Sequence, residues 1–106
     1  MKVLIAFDVD GTLECGKPPG PIKLERVRVL KEAGFTIGIV GARERVIPKL
    51  PNLDFYFSGD PHKPEWLKAV KDQFKPLLAI YVADLPSDRK AALRLGFSYI
   101  CPKDFR

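Results

Sequence analysis

The stretch VLIAFDVDGTL, residues 3–13, decides how this chain is read. Its first five residues, Val3–Phe7, are apolar without a break, as in a strand buried on both faces. Such a strand sits inside a parallel sheet, where crossover segments shield it from water on either side. Two carboxylates then end the apolar run. Residues two apart in an extended chain point the same way, so Asp8 and Asp10 are expected to face one crevice beyond the strand. Gly11 permits a sharp turn there and is expected to leave backbone N–H groups open to an anion.

Working outward, Thr36–Val40, Phe55–Phe57, residues 77–82 and Ser98–Ile100 predict four further strands. The segments between them read as helices. Leu24, Val27 and Leu30 form one stripe, with Pro21 as the expected first helical residue and Gly34 as the stop. Trp66, Leu67, Val70 and Phe74 share a face in a helix opened by Pro64. Ser87 is the expected N-cap of a helix through Leu95, closed by Gly96. Residues 42–52 predict only a turn or two of helix, interrupted by Pro48 and Pro51. The alternation predicts a single α/β domain over residues 1–106. Its Rossmann-like architecture has three layers, a parallel sheet of about five strands with helices on both faces.

Composition narrows the function classes. The 46% hydrophobic and 29% charged residues are the balance of an ordinary globule. The longest apolar run, residues 77–83, falls far short of the roughly 20 residues of a membrane span. Asp8 and Asp10 interrupt any signal-like start, so a cytoplasmic protein without a membrane partner is expected. Cys15 and Cys101 are too few for a disulfide framework and read as small buried hydrophobes. Eighteen basic against thirteen acidic residues give a net charge of +5. That excess favours acidic partners such as phosphorylated substrates or nucleic acid.

Ligands of open α/β sheets bind beyond the carboxyl ends of the strands. Those positions hold Asp8 and Asp10, then Gly41, Ala42 and Arg43, then Lys63 ahead of Pro64, then Asp84 and Asp88. Each has an ordinary structural reading as well. Asp84 suits a polar turn, Asp88 suits the positive end of a helix dipole, and Lys63 and Arg43 suit the solvated surface. His62 has no second nitrogen or sulfur ligand at metal spacing. Taken together they suggest more. Converging carboxylates repel unless a cation lies among them, and an all-oxygen set selects a hard ion, above all Mg²⁺. A carboxylate nucleophile, a neighbouring carboxyl acid, Mg²⁺ and a lysine make up a phosphoryl-transfer site.

The motifs also carry a resemblance. FDVDGTL (residues 7–13), HKPEW (62–66) and VADLPSDRKAALRLGF (82–97) resemble, in order, motifs of the haloacid-dehalogenase-like superfamily. Its members are mostly Mg²⁺-dependent phosphatases that work through an aspartyl-phosphate. The resemblance implies that Asp8 is the nucleophile and Asp10 the acid–base. It makes Asp8, Asp10 (by its carbonyl), Asp84 and Asp88 the metal ligands, and Lys63 the partner of both Asp8 and phosphate. Gly11, Gly41, Ala42, Arg43 and Lys63 would bind the phosphate.

Gly41 departs from the pattern, which has Ser or Thr at this position. The missing hydrogen bond to a charged group is worth roughly 1.5–3 kcal/mol. Backbone N–H groups of Gly41 and Ala42, or the Arg43 side chain, are the expected substitutes. Residues 14–20 and 42–62 are too short to fold a cap domain. The chain therefore resembles capless members, whose open sites suit bulky substrates such as phosphoproteins or nucleic-acid ends, or are closed by oligomerisation. The GAR segment and residues 100–105 resemble, more distantly, the 3′-phosphatase domain of polynucleotide kinases. Lys17, Arg43, Arg45 and Lys90 are candidates for steering a polyanion. The competing expectation is a weakly active or inactive module that binds phosphate or a polyanion. A receiver domain fits less well, because its acidic pair and its phosphoacceptor follow different strands.

Overall fold

The computed structural model describes residues 2–59 and 61–105. Within them the chain forms β1 (Val3–Phe7), α1 (Leu24–Glu32), β2 (Thr36–Val40), β3 (Phe55–Phe57), α2 (Lys63–Phe74), β4 (Leu78–Val82), α3 (Pro86–Arg94) and β5 (Ser98–Ile100). The five strands form one parallel sheet in the order β3-β2-β1-β4-β5. β1 is thus central, with Ile5 opposite both Ile37 of β2 and Ile80 of β4.

The unbroken apolar runs have the expected physical cause. Leu4 and Ala6 belong to a core cluster that includes Leu67 and Val70 of α2 and Ala92 of α3. Ile5 and Phe7 belong to another, which includes Val27 of α1. Alternate residues of β1 therefore meet different helices, and no side of the strand is left to water. Gly38 of β2 is the exception in volume, because the Phe55 ring fills the space its side chain would take.

Gly34 and Gly96 follow the ends of α1 and α3 and Pro64 stands in the first turn of α2, as expected, whereas α1 and α3 start at other residues than expected. Gly34 and Gly96 both take positive φ just past α1 and α3 (+104° and +83°), which removes the Cβ penalty of a left-handed residue. Pro21, expected to open α1, lies before it in a segment bridged to Leu13 through Ile22, and the helix starts at Leu24. Ser87, expected as an N-cap, is already inside α3. Leu85 holds the extended cap position and Pro86 takes the first turn, where its missing N–H costs nothing. Residues 42–52 contain one short 3₁₀ turn, Arg43–Arg45. Leu77 remains exposed outside β4, and both cysteines are half-buried rather than buried. No helix among the described residues is long and apolar enough to cross a membrane.

Strand order fixes where a crevice opens. The chain leaves β1 towards α1, on one core cluster, and leaves β4 towards α3, on the other. Adjacent strands whose continuations part in this way leave a gap beyond their carboxyl ends.

Candidate functional site

A crevice of about 400 Å³ lies in that gap, lined by Asp8, Asp10, Gly41, Ala42, Lys63 and Asp84, with Pro18, Gly59 and Leu85 at its sides. Asp8 directly follows β1 and stays in the ladder, donating its N–H to the Val82 carbonyl at 2.9 Å. Its carboxylate is buried, as is that of Asp88 in the first turn of α3. Lys63, also buried, places its ammonium 3.3 Å from Asp8 Oδ1 and 3.0 Å from Asp88 Oδ1.

Lys63 is the first residue of α2, where the helix dipole disfavours a cation. The two carboxylates supply the compensation. Burial pushes the Asp8 carboxyl up to about 6, with the Lys63 charge working against that rise and the Asp88 charge adding to it. Asp84, in the exposed link between β4 and α3, completes the acidic group: one oxygen from each of Asp8, Asp84 and Asp88 lies within 4.8 Å of the others.

These residues fit a hard divalent ion. The donors are all oxygen, and neighbouring ligands of an octahedral Mg²⁺ stand about 3 Å apart, so the three carboxylates would have to draw in from their present spacing to share one coordination shell. One ammonium against three carboxylates also leaves two negative charges, which a divalent ion would neutralise. Gly11 makes the approach of Asp84 possible. Its φ is +76°, and a Cβ there would collide with the Asp84 carboxylate.

The other expected contacts are placed differently. The Gly11 N–H is not open to an anion, since it donates to the Pro18 carbonyl at 2.7 Å. The Gly41 N–H donates to the Phe57 carbonyl at 3.0 Å, and the Arg43 guanidinium turns to the Tyr56 carbonyl at 3.2 Å. Ala42 lines the crevice. The Asp10 side chain is half-buried and stands apart from the acidic group. It accepts the Lys17 N–H at 2.8 Å and pairs with the Arg45 guanidinium.

Arg45 is thus the residue whose part the sequence does not reveal. It reads there only as a nearby charge, and no spacing rule links positions 10 and 45. Gly41 gains a reason as well: a Cβ at that position would lie 2.6 Å from Asp8 Oδ1 and 3.0 Å from the Val9 nitrogen.

No family model matches the chain, and no curated protein or solved structure matches it significantly.

Proposed function

We propose that this chain is a Mg²⁺-dependent phosphomonoester hydrolase with a three-layer, capless haloacid-dehalogenase-like core. One observation carries the reading: a buried carboxylate, Asp8, is held 3.3 Å from a buried ammonium, with Asp84 and Asp88 close enough to share an ion with it. Structural ion pairs rarely gather three carboxylates in one crevice, because desolvation and repulsion both oppose it.

In the proposed reaction an Asp8 oxygen attacks phosphorus and the bond to the leaving oxygen breaks. Asp10, at the crevice wall, gives the leaving oxygen its proton. Water then attacks the aspartyl-phosphate, passing a proton to Asp10 and releasing phosphate, so Asp8 is regenerated. Lys63 neutralises Asp8 and the phosphoryl oxygens throughout. Asp8, Asp84 and Asp88 would hold Mg²⁺, which supplies charge stabilisation to the transferring group. Arg45 and the Lys17 N–H orient the Asp10 carboxylate.

A second reading, a phosphate- or polyanion-binding module with little turnover, draws on Gly41, which offers no hydroxyl to a transferring phosphoryl group. Hydrolysis of an aryl phosphate with Mg²⁺ and with chelator separates the two. Metal-dependent turnover that disappears in Asp8→Asn is expected; phosphate binding without turnover in the wild-type chain would favour the module instead.

A further inference from the structure

The crevice has charged residues inside and apolar ones at its sides. Asp8 and Lys63 are buried, whereas Pro18 and Leu85 are exposed. Pro18 is held in place by its loop. Its carbonyl accepts the Gly11 N–H at 2.7 Å, and the neighbouring Lys17 N–H is bound to Asp10 Oδ1 at 2.8 Å. Gly16 and Gly20 draw the same loop onto the backbone of residues 9–12. A Cβ at Gly16 would lie 2.3 Å from the Val9 carbonyl oxygen, and one at Gly20 would lie 2.2 Å from the Thr12 carbonyl carbon.

Leu85 stands where the fold alone favours another residue. It holds the N-cap of α3 in an extended conformation (φ −98°, ψ 144°), with no side-chain bond to the helix. N-caps favour Ser, Thr, Asp and Asn, whose oxygens satisfy an otherwise unpaired helical N–H, and leucine is among the poorest choices. Leu85 is also 45% exposed. It neither caps its helix nor is covered by the core, and next to Asp84 it offers apolar surface to whatever occupies the crevice.

Charge limits what that ligand can be. Among the described residues Lys63 is the one cation in the lining. With a divalent ion present, Lys63 and the carboxylates of Asp8, Asp84 and Asp88 sum to zero, and Asp10 is balanced by Arg45. The Arg43 guanidinium is turned to the Tyr56 carbonyl. A phosphoryl dianion would thus enter a neutral site and bring two negative charges to it. A second anionic group on the same ligand would meet repulsion and no cation of the lining.

We infer that the crevice selects a singly phosphorylated ligand with an uncharged, apolar organic part, which rests on Pro18 and Leu85 while the phosphoryl group sits at Lys63. This names the substrate class of the proposed hydrolase and rests on that reading of the site, though not on turnover. Leu85 is then a specificity-determining residue: it touches the part of the ligand that distinguishes one monoester from another. Polyanions, with a further phosphate near the first, belong to the class that the charge balance rejects.

The test is isothermal titration calorimetry with Mg²⁺ and three phosphonates, which carry the dianion but cannot be hydrolysed. Benzylphosphonate is expected to bind about 10-fold more tightly than methylphosphonate, for one partly buried ring. In Leu85→Ser that preference should fall to about 2-fold, because much of the apolar surface is gone. Leu85→Met, which keeps the bulk, should retain it. The serine variant should also melt no lower than the wild-type chain, since serine caps the helix. A marked drop would assign Leu85 to packing and overturn its role. 4-Sulfobenzylphosphonate, with a second anion, should bind several-fold more weakly than benzylphosphonate, the more so at low salt. Tighter binding of the sulfonate would overturn the inference in favour of a polyanion. Equal binding of the benzyl and methyl compounds, or binding of neither, would overturn it too. If the preference is present and follows Leu85 while no chain turns over an aryl phosphate, the ligand class stands and hydrolysis alone fails.

Discussion

Beyond β4 the chain brings two carboxylates, Asp84 and Asp88, towards Asp8. Beyond β2, on the other side of the same strand, it brings Gly41, which has no side chain at all. The two neighbours of β1 thus divide the work, one supplying charge and the other room. Charge on the β4 side raises the cost of an ionised Asp8, and room on the β2 side keeps its carboxylate free to point into the crevice. The comparison places the energetic weight of the site on the β4–α3 side and its steric tolerance on the β2 side.

The sharpest way to break that division is Lys63→Ala. Removing the ammonium leaves buried carboxylates facing each other, a loss of about 3–5 kcal/mol by analogy with broken buried pairs. Differential scanning calorimetry in chelator at pH 8 should show a melting temperature lower by about 10 °C or more. Added Mg²⁺ should restore part of it. A variant as stable as the wild-type chain would remove the charge cluster from the stability of the fold.

Next in size is the pH dependence of Asp8. Burial holds its carboxyl near 6, above its unfolded value of 3.8, so the folded chain keeps a proton that the unfolded chain releases. The associated stability is therefore present below pH 3.8 and disappears as pH rises through 6. In chelator, Asp8→Asn should melt at the same temperature as the wild-type chain near pH 3.5 and several degrees above it at pH 7. A gap that closes as pH rises would reverse the sign of the burial effect.

Gly41→Ser probes the roomy side. The new Cβ would stand 2.6 Å from Asp8 Oδ1, so Asp8 or the strand must shift. Overpacking of this kind costs about 1–3 kcal/mol. Restoring a hydroxyl at this position should lower aryl-phosphate turnover, by about 10-fold, with a modest fall in melting temperature. Higher turnover in the serine variant would mean that the missing hydrogen bond, and not the space, limits the site.

The same contrast explains what could be read in the sequence. The central strands β1, β2 and β4 are legible because burial on both faces leaves largely apolar runs, which need no knowledge of the partners. Gly34 and Gly96 mark helix ends because their backbone conformation is a local demand. Asp8, Lys63, Asp84 and Asp88 stand at strand and helix ends, so alternation alone brings them to one edge. Contacts set by distant segments were hidden. The Arg45–Asp10 pair, the Pro18 carbonyl on the Gly11 N–H and the closeness of Gly41 to Asp8 depend on how loops cross in space. Ser87 misleads for a local reason, since Pro86 claims the first helical turn ahead of it.

The buried triad of Asp8, Lys63 and Asp88 also bears on how the chain is assembled. Its members come from β1, α2 and α3, and β1 pairs along its whole length with β4. A chain cut between β3 and α2 would leave Asp8 on one piece and Lys63, Asp84 and Asp88 on the other. The Lys63–Asp88 pair would stay within the second piece, the Lys63–Asp8 pair would be severed, and neither piece could complete the sheet. The ion pair therefore works as a register mark: it closes only when the two halves have met in the correct alignment, and any ion held there would reward only that alignment.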